Sequence, residues 1–248
     1  MISKNQIKLL NSLKNSKFRQ KHNLFLIEGP KLFSEYVKSN FKIKEAFVID
    51  ELYEKFAAEY KNIDFTKITE IELKKISNLK SPNQIIASVE IKAEKQFVES
   101  KKLYLMLESV RDPGNLGTII RTADWFGFDE VICSSDCVDA LNPKVIQSAM
   151  GSTARVNLFY TDIYKLISKS DLPAFATHLD GENIYKSELS NSGFIVLGNE
   201  SNGISEKMEK LISKKLFIPN YNNSKAESLN VSIATALVCA EFRRRFSD

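Results

Sequence analysis

Six short, mostly apolar runs in the second part of the chain leave few architectures open. They are Leu103–Leu107, Val131–Cys133, Val156–Phe159, Ala174–Thr177, Phe194–Leu197 and Leu216–Ile218. Helical periodicity falls between and after them, at 116–126, 143–149, 163–168, 205–212 and 229–246. A strand that is apolar on successive residues offers water neither face, so both faces must be covered. Strands of this kind alternating with amphipathic helices predict an α/β fold built on a mainly parallel sheet with helices on both sides.

The first part of the chain has a different texture. Ile2, Gln6, Leu9, Leu10 and Leu13 repeat at helical spacing. Leu24–Ile27 is an apolar run stopped by Gly29 and Pro30, and a helical period resumes through Leu32, Phe33, Tyr36 and Val37. Ala46–Ile49 and Ile85–Val89 read as strands, and Thr69-Glu70-Ile71-Glu72 has the spacing of a capping box. The expected organisation is a smaller α/β domain over residues 1–92, a polar linker over 93–102 and a larger domain over 103–248.

Composition narrows the setting. Apolar residues make up 43% of the 248, enough for a sizeable core, and no apolar run approaches a membrane span. The N-terminus lacks the apolar stretch of a signal peptide, so a cytoplasmic protein is expected. Cys133, Cys137 and Cys239 are too few for a disulfide framework, and with His22 and His178 far off they lack zinc-site spacing; no metal is expected. Residues 1–44 carry a net charge of +8, which leaves −4 on the remainder. A basic segment on a near-neutral body predicts a polyanionic partner such as RNA.

Several chemistries are excluded by missing motifs. No Gly-x-Gly-x-x-Gly follows a strand, and there is no P-loop, no His-Glu-x-x-His and no Gly-x-Ser-x-Gly. What remains is three polar segments, each after an apolar run, where ligands bind in open α/β sheets. The first is Arg111-Asp112-Pro113-Gly114-Asn115-Leu116-Gly117, continuing to Arg121; Asn115 is placed to cap a helix, with Arg121 near the same face. The second is Leu197-Gly198-Asn199-Glu200-Ser201-Asn202-Gly203. The third is Ile218-Pro219 and, past a polar loop, Ser228-Leu229-Asn230-Val231-Ser232.

In this order the segments resemble the three motifs of the SpoU family of RNA 2′-O-ribose methyltransferases, of the SPOUT class, over roughly 103–246. Residues 1–90 resemble that family's accessory substrate-binding domain. The resemblance implies a C-terminal parallel-sheet SPOUT domain with a trefoil knot, S-adenosyl-L-methionine as cofactor, and a homodimer formed through the C-terminal domain. It also implies roles. Thr177, Leu197, Gly198, Asn199, Gly203, Ile218, Pro219, Ser228, Leu229 and Asn230 would surround the cofactor. Asn115, Arg121, Glu200, Ser228 and Asn230 would form the catalytic cluster. The implied substrate is structured RNA, ribosomal favoured over transfer RNA. The competing readings are a non-catalytic RNA-binding protein and a base methyltransferase of the same class. One departure stands out: the stretch Asn220–Glu227 lacks the glycine that many members carry before Ser-Leu-Asn.

Overall fold

A computed structural model describes residues 2–39, 41–93, 95–221 and 227–246. The chain divides into two compact units, one of Met1–Glu94 with Leu141–Ala154, the other of Lys95–Ala140 with Arg155–Asp248.

In the first unit α1 (Lys4–Ser12) and α2 (Ser16–His22) lead into β1 (Leu24–Glu28), α3 (Pro30–Lys38), β2 (Ile43–Ile49), α4 (Tyr53–Glu59), β3 (Phe65–Ile68), α5 (Glu70–Ile76) and β4 (Ile85–Glu90). The sheet order is β1-β4-β2-β3, with β4 antiparallel to β1 and β2, and β3 parallel to β2. Neither α4 nor β3 was legible in the sequence pattern, since both are short and half-exposed. The capping box at Thr69 and Glu72 is formed in both directions. Phe25, Phe33, Tyr36, Phe56 and Ala87 fill one face of the sheet, and Leu10, Leu13, Phe47 and Ile86 the other.

The second unit begins with β5 (Leu103–Leu107), α6 (Pro113–Trp125) and β6 (Glu130–Ser134). Next in the chain comes α7 (Pro143–Ala149), which belongs to the first unit, where Ile146 joins the core and Tyr36 shares a 2.8 Å hydrogen bond with Thr153. The expected domain of 103–248 thus lends residues 141–154 to the first unit. The second unit continues with β7 (Asn157–Thr161), α8 (Ile163–Ile167), β8 (Ala174–Asn183), β9 (Gly193–Leu197), α9 (Glu206–Glu209), β10 (Lys214–Phe217) and α10 (Val231–Phe246).

The strand order of the second sheet is β10-β8-β9-β5-β6-β7, and every pairing is parallel. The sequence expectation of a parallel sheet holds, and its cause is visible in burial. All five residues of β5 and all five of β9 are buried, as a central strand covered on both faces requires. The three cysteines are buried free thiols. Among the described residues, no helix is long and apolar enough to cross a membrane.

Candidate functional site

The three polar segments meet at the carboxyl ends of the central parallel strands of the second unit. Their first element is α6, whose start corrects the sequence reading. Asp112, not Asn115, caps this helix: its carboxylate accepts from the Asn115 N–H at 2.8 Å, and Pro113 takes the first helical position. Relieved of capping, the Asn115 side chain reaches across the sheet ends. Its Nδ2 donates to Glu200 Oε1 at 2.9 Å, while its Oδ1 accepts from Asn230 Nδ2 at 2.9 Å. Asn230 is fixed in turn by Ser232, whose N–H and Oγ–H both donate to its Oδ1, at 2.9 and 2.6 Å. Residues far apart in sequence form one hydrogen-bonded chain, Asn230 to Asn115 to Glu200.

Asn199 builds the loop that carries Glu200. Its Oδ1 accepts from the N–H groups of Ser201 and Asn202, and its backbone exchanges two hydrogen bonds with Gly203, at 2.8 and 2.9 Å. Gly203 has a φ of +66°, in the left-handed region where a side chain is disfavoured. Gly198 is needed for another reason: a Cβ there would collide with the carbonyl group of Gly203 across the tight loop.

Beside this loop lies a cavity of about 540 Å³, within the usual size range of small-molecule sites. Of the residues expected to surround a cofactor, Thr177, Gly198, Asn199, Gly203, Ile218, Ser228 and Leu229 line it, together with Glu200. Leu197, Pro219 and Asn230 do not. Leu197 is wholly buried, paired with Leu107 between β9 and β5, and Asn230 is drawn to Asn115 instead.

Arg121 and Ser228 also stand apart from the expected catalytic cluster. At 100° per residue, Arg121 lies about 120° around the helix from Asn115, so the two do not share a face. Arg121 is exposed and has no side-chain hydrogen bond or ion pair among the described residues. Ser228 is exposed at the mouth of the cavity. The altered loop that lacks the family's glycine is described only at Asn220, Tyr221 and Glu227, and residues 222–226 lie outside the described ones.

Sequence reasoning missed part of the cavity wall. β8 runs on past Thr177, so His178, Leu179 and Asp180 also line the cavity. Leu179 and Leu229 are both strongly exposed, at 65% and 49%, and give it an apolar surface. His178 Nδ1 accepts from the Asp180 N–H at 3.1 Å, and Nε2 lies 2.9 Å from Glu209 Oε1. Lys215, and secondarily His178, hold the Glu209 carboxyl below its ordinary value. The available signal was an apolar Leu between His and Asp directly after an apolar run. Among the described residues, no three His, Cys, Asp or Glu side chains group as metal ligands.

Comparison with known proteins extends over the whole chain. Residues 102–240 match the SpoU rRNA Methylase family, and residues 4–87 match the MRM3-like substrate binding domain. The chain is 32% identical to the 23S rRNA (guanosine(2553)-2′-O)-methyltransferase RlmP of Bacillus subtilis, over 97% of each chain. It is 26% identical to the mitochondrial rRNA methyltransferase 3A of Danio rerio, over 97% of this chain and 68% of that one. Among solved structures it resembles a putative RNA methyltransferase of the TrmH family from Porphyromonas gingivalis, with a TM-score of 0.88 and 35% identity over 99% of both chains. It also resembles an AdoMet-bound rRNA methyltransferase from Sinorhizobium meliloti, with a TM-score of 0.87 and 25% identity over 100% of this chain and 98% of that one.

The loop geometry yields a direct test. A Gly198→Ala substitution forces backbone apart between Gly198 and Gly203, and should cost about 1–3 kcal/mol of stability. Urea unfolding followed by circular dichroism checks this.

Proposed function

The chain belongs to the SpoU rRNA methylase family, and from that premise we propose that it methylates a ribose 2′-hydroxyl of ribosomal RNA with S-adenosyl-L-methionine. The observation that carries this reading is the Asn230–Asn115–Glu200 chain, which joins all three polar segments beside one cavity.

The cavity's chemistry suits the cofactor. The exposed Leu179 and Leu229 offer apolar surface to a flat heterocycle. Asp180, Glu200 and Glu227 place carboxylates around a group that carries sulfonium and ammonium charges. Thr177, Gly198, Asn199, Gly203, Ile218 and Leu229 would hold it. Bound there, S-adenosyl-L-methionine supplies an electrophilic methyl group, so the protein's work is alignment and charge stabilisation.

Arg121 is assigned to the RNA. A guanidinium stays protonated in proteins, so it is a poor base for the 2′-hydroxyl. Its free donors are suited to grip a phosphate next to the target ribose and to stabilise negative charge as it builds on the 2′-oxygen. Glu200 orients the Asn115 amide, and Asn230 holds its other end. Ser228 offers a hydroxyl at the cavity mouth to the incoming strand.

Residues 1–92 are proposed to hold the RNA substrate. Lys4, Lys8, Lys14, Lys17 and Lys21 are exposed. Arg19 is the exception in the basic segment: it is buried and donates to the carbonyls of Leu13 and Lys14 at 2.9 Å, a structural role. A homodimer through the C-terminal unit is also proposed. The supporting surface lies on α10, where Ile233, Leu237 and Phe246 stay exposed while Val231, Val238 and Phe242 are buried within the unit. The family's knot near the C-terminus and a cytoplasmic location complete the proposal.

Four outcomes are expected. Mass analysis of digested ribosomal RNA should find a new ribose methyl group; a base methyl, or none, would overturn the reading. In the same assay Arg121→Lys should lose at least ~100-fold in rate, about 2.7 kcal/mol, while melting temperature and cofactor affinity hardly change. Replacing Lys14, Lys17 and Lys21 with Gln should flatten the salt dependence of RNA binding, by roughly 0.7–0.9 in log–log slope for each lysine that meets a phosphate. Sedimentation of the full chain at micromolar concentration should give a dimer.

A further inference from the structure

Ser109, just past the end of β5, has a φ of +56°, a left-handed conformation that a residue with a Cβ seldom adopts. A network of four hydrogen bonds holds it there. Its N–H donates to Ser134 Oγ at 2.8 Å, and its Oγ–H donates to Asp136 Oδ2 at 2.6 Å. The Ser134 hydroxyl donates to Asp136 Oδ1 at 2.6 Å, and the Arg111 guanidinium reaches Oδ2 at 3.0 Å. The outcome of these contacts is the direction of one carbonyl: Ser109 O accepts from Asn199 Nδ2 at 2.8 Å.

Asn199 is the residue that shapes the loop bearing Glu200, as described above. Asp136 touches neither the cavity nor the Asn230–Asn115–Glu200 chain, and it lies outside all three polar segments. It nonetheless stands at the root of the contacts that set the loop. Hydrogen bonds from Ser109, Ser134 and Arg111 hold its carboxyl down at about 2, so it remains an acceptor throughout the workable pH range.

We propose that Asp136 is a positioning residue for methyl transfer: through Ser134 and Ser109 it aims the Ser109 carbonyl at Asn199, and so fixes the loop that carries Glu200. The inference rests on the methyltransferase reading. Its rival is a purely structural role, in which the same hydrogen bonds staple a surface turn and leave the site indifferent.

A double-mutant cycle between Asp136→Asn and Asn199→Ala separates the two, because residues that act along one line are non-additive. The readouts are the single-turnover rate of RNA methylation, S-adenosylhomocysteine affinity by calorimetry, and melting temperature. Asp136→Asn should slow methylation at least tenfold in the native background and less than twofold once Asn199 is alanine. Equal losses in both backgrounds, or a lowered melting temperature with the rate within twofold of native, would overturn the proposal. Ser109→Gly gives an independent arm. Glycine accepts the left-handed backbone without strain, yet loses the hydroxyl that meets Asp136. Slower methylation at an equal or higher melting temperature supports positioning, and native rate refutes it, even if Asp136→Asn does not fold. Should the native protein bind S-adenosylhomocysteine but transfer no methyl to RNA, the methyltransferase reading fails. The cycle in S-adenosylhomocysteine affinity then still decides the clamp, since residues 199–203 line the cavity: a several-fold loss that vanishes in the Asn199→Ala background supports it, and additive losses refute it.

Discussion

The site depends on how two residues leave the central strand. β5 and β9 run parallel until Leu107 lies beside Leu197, and the Glu108 N–H then donates to the Leu197 carbonyl at 2.9 Å. From there Glu108 and Ser109 anchor opposite ends of the loop that follows β9. The Glu108 carboxylate is buried and accepts from the Ser205 N–H at 3.0 Å, the Ser205 hydroxyl at 2.5 Å and the Tyr164 hydroxyl at 2.7 Å. Burying a carboxylate is costly, and three donors are what make it tolerable. Burial first, and then this hydrogen bond, raise the Tyr164 hydroxyl above its ordinary value, so it stays protonated and keeps donating. Ser109 holds the other end through Asn199. A loop that is tight, polar and nearly surface-exposed thereby acquires a fixed shape from the most buried strand of the sheet.

The same logic applies to α10, which Asn230 immediately precedes. A helix end frays unless its body is tied down. Arg245 donates to the carbonyls of Ile184, Tyr185 and Ser187, and Glu241, itself buried, is bonded by Arg244 and Arg245. Arg243 donates to the carbonyls of Phe126 and Gly127, just past the end of α6. α10 is therefore fastened at its far end to the helix that carries Asn115. The short Asn230–Asn115 contact is the near end of the same attachment.

The fold was largely readable because a two-sided sheet leaves a local trace. A strand such as Leu103–Leu107 must be apolar throughout, and an apolar run marked at least part of every strand of the second sheet, though only two residues of the half-exposed edge strands β7 and β10. The half-exposed β3 and α4 left no such trace, and nothing in Pro143–Ala149 showed that it would join the other unit's core. At the site, residue types were legible and partners were not. Asn115 looked like a cap because Asn is a common cap, but Asp112 three residues earlier was the better placed acceptor. The hydrogen bonds that give Asn115, Asn199 and Asn230 their positions span 85, 90 and 115 residues. No periodicity encodes a separation of that kind. Asp136 was invisible for the same reason, since its meaning lies in Ser109 on a neighbouring strand end.

The contrast between Arg121 and the amide chain explains how such a site divides its labour. Asn115, Glu200 and Asn230 hydrogen-bond one another, so the cofactor side is organised without any substrate. Arg121, one helical face away, is left exposed with its donors uncommitted among the described residues. A guanidinium already paired with a carboxylate would have to surrender that partner before meeting a phosphate, and the loss would offset much of the new interaction. An unpaired one gives up only water. In the proposed reaction its full interaction is therefore available when the RNA docks and as charge develops on the ribose oxygen. Rigid amides hold the methyl donor's side still, and a free cation waits on the side where the substrate arrives.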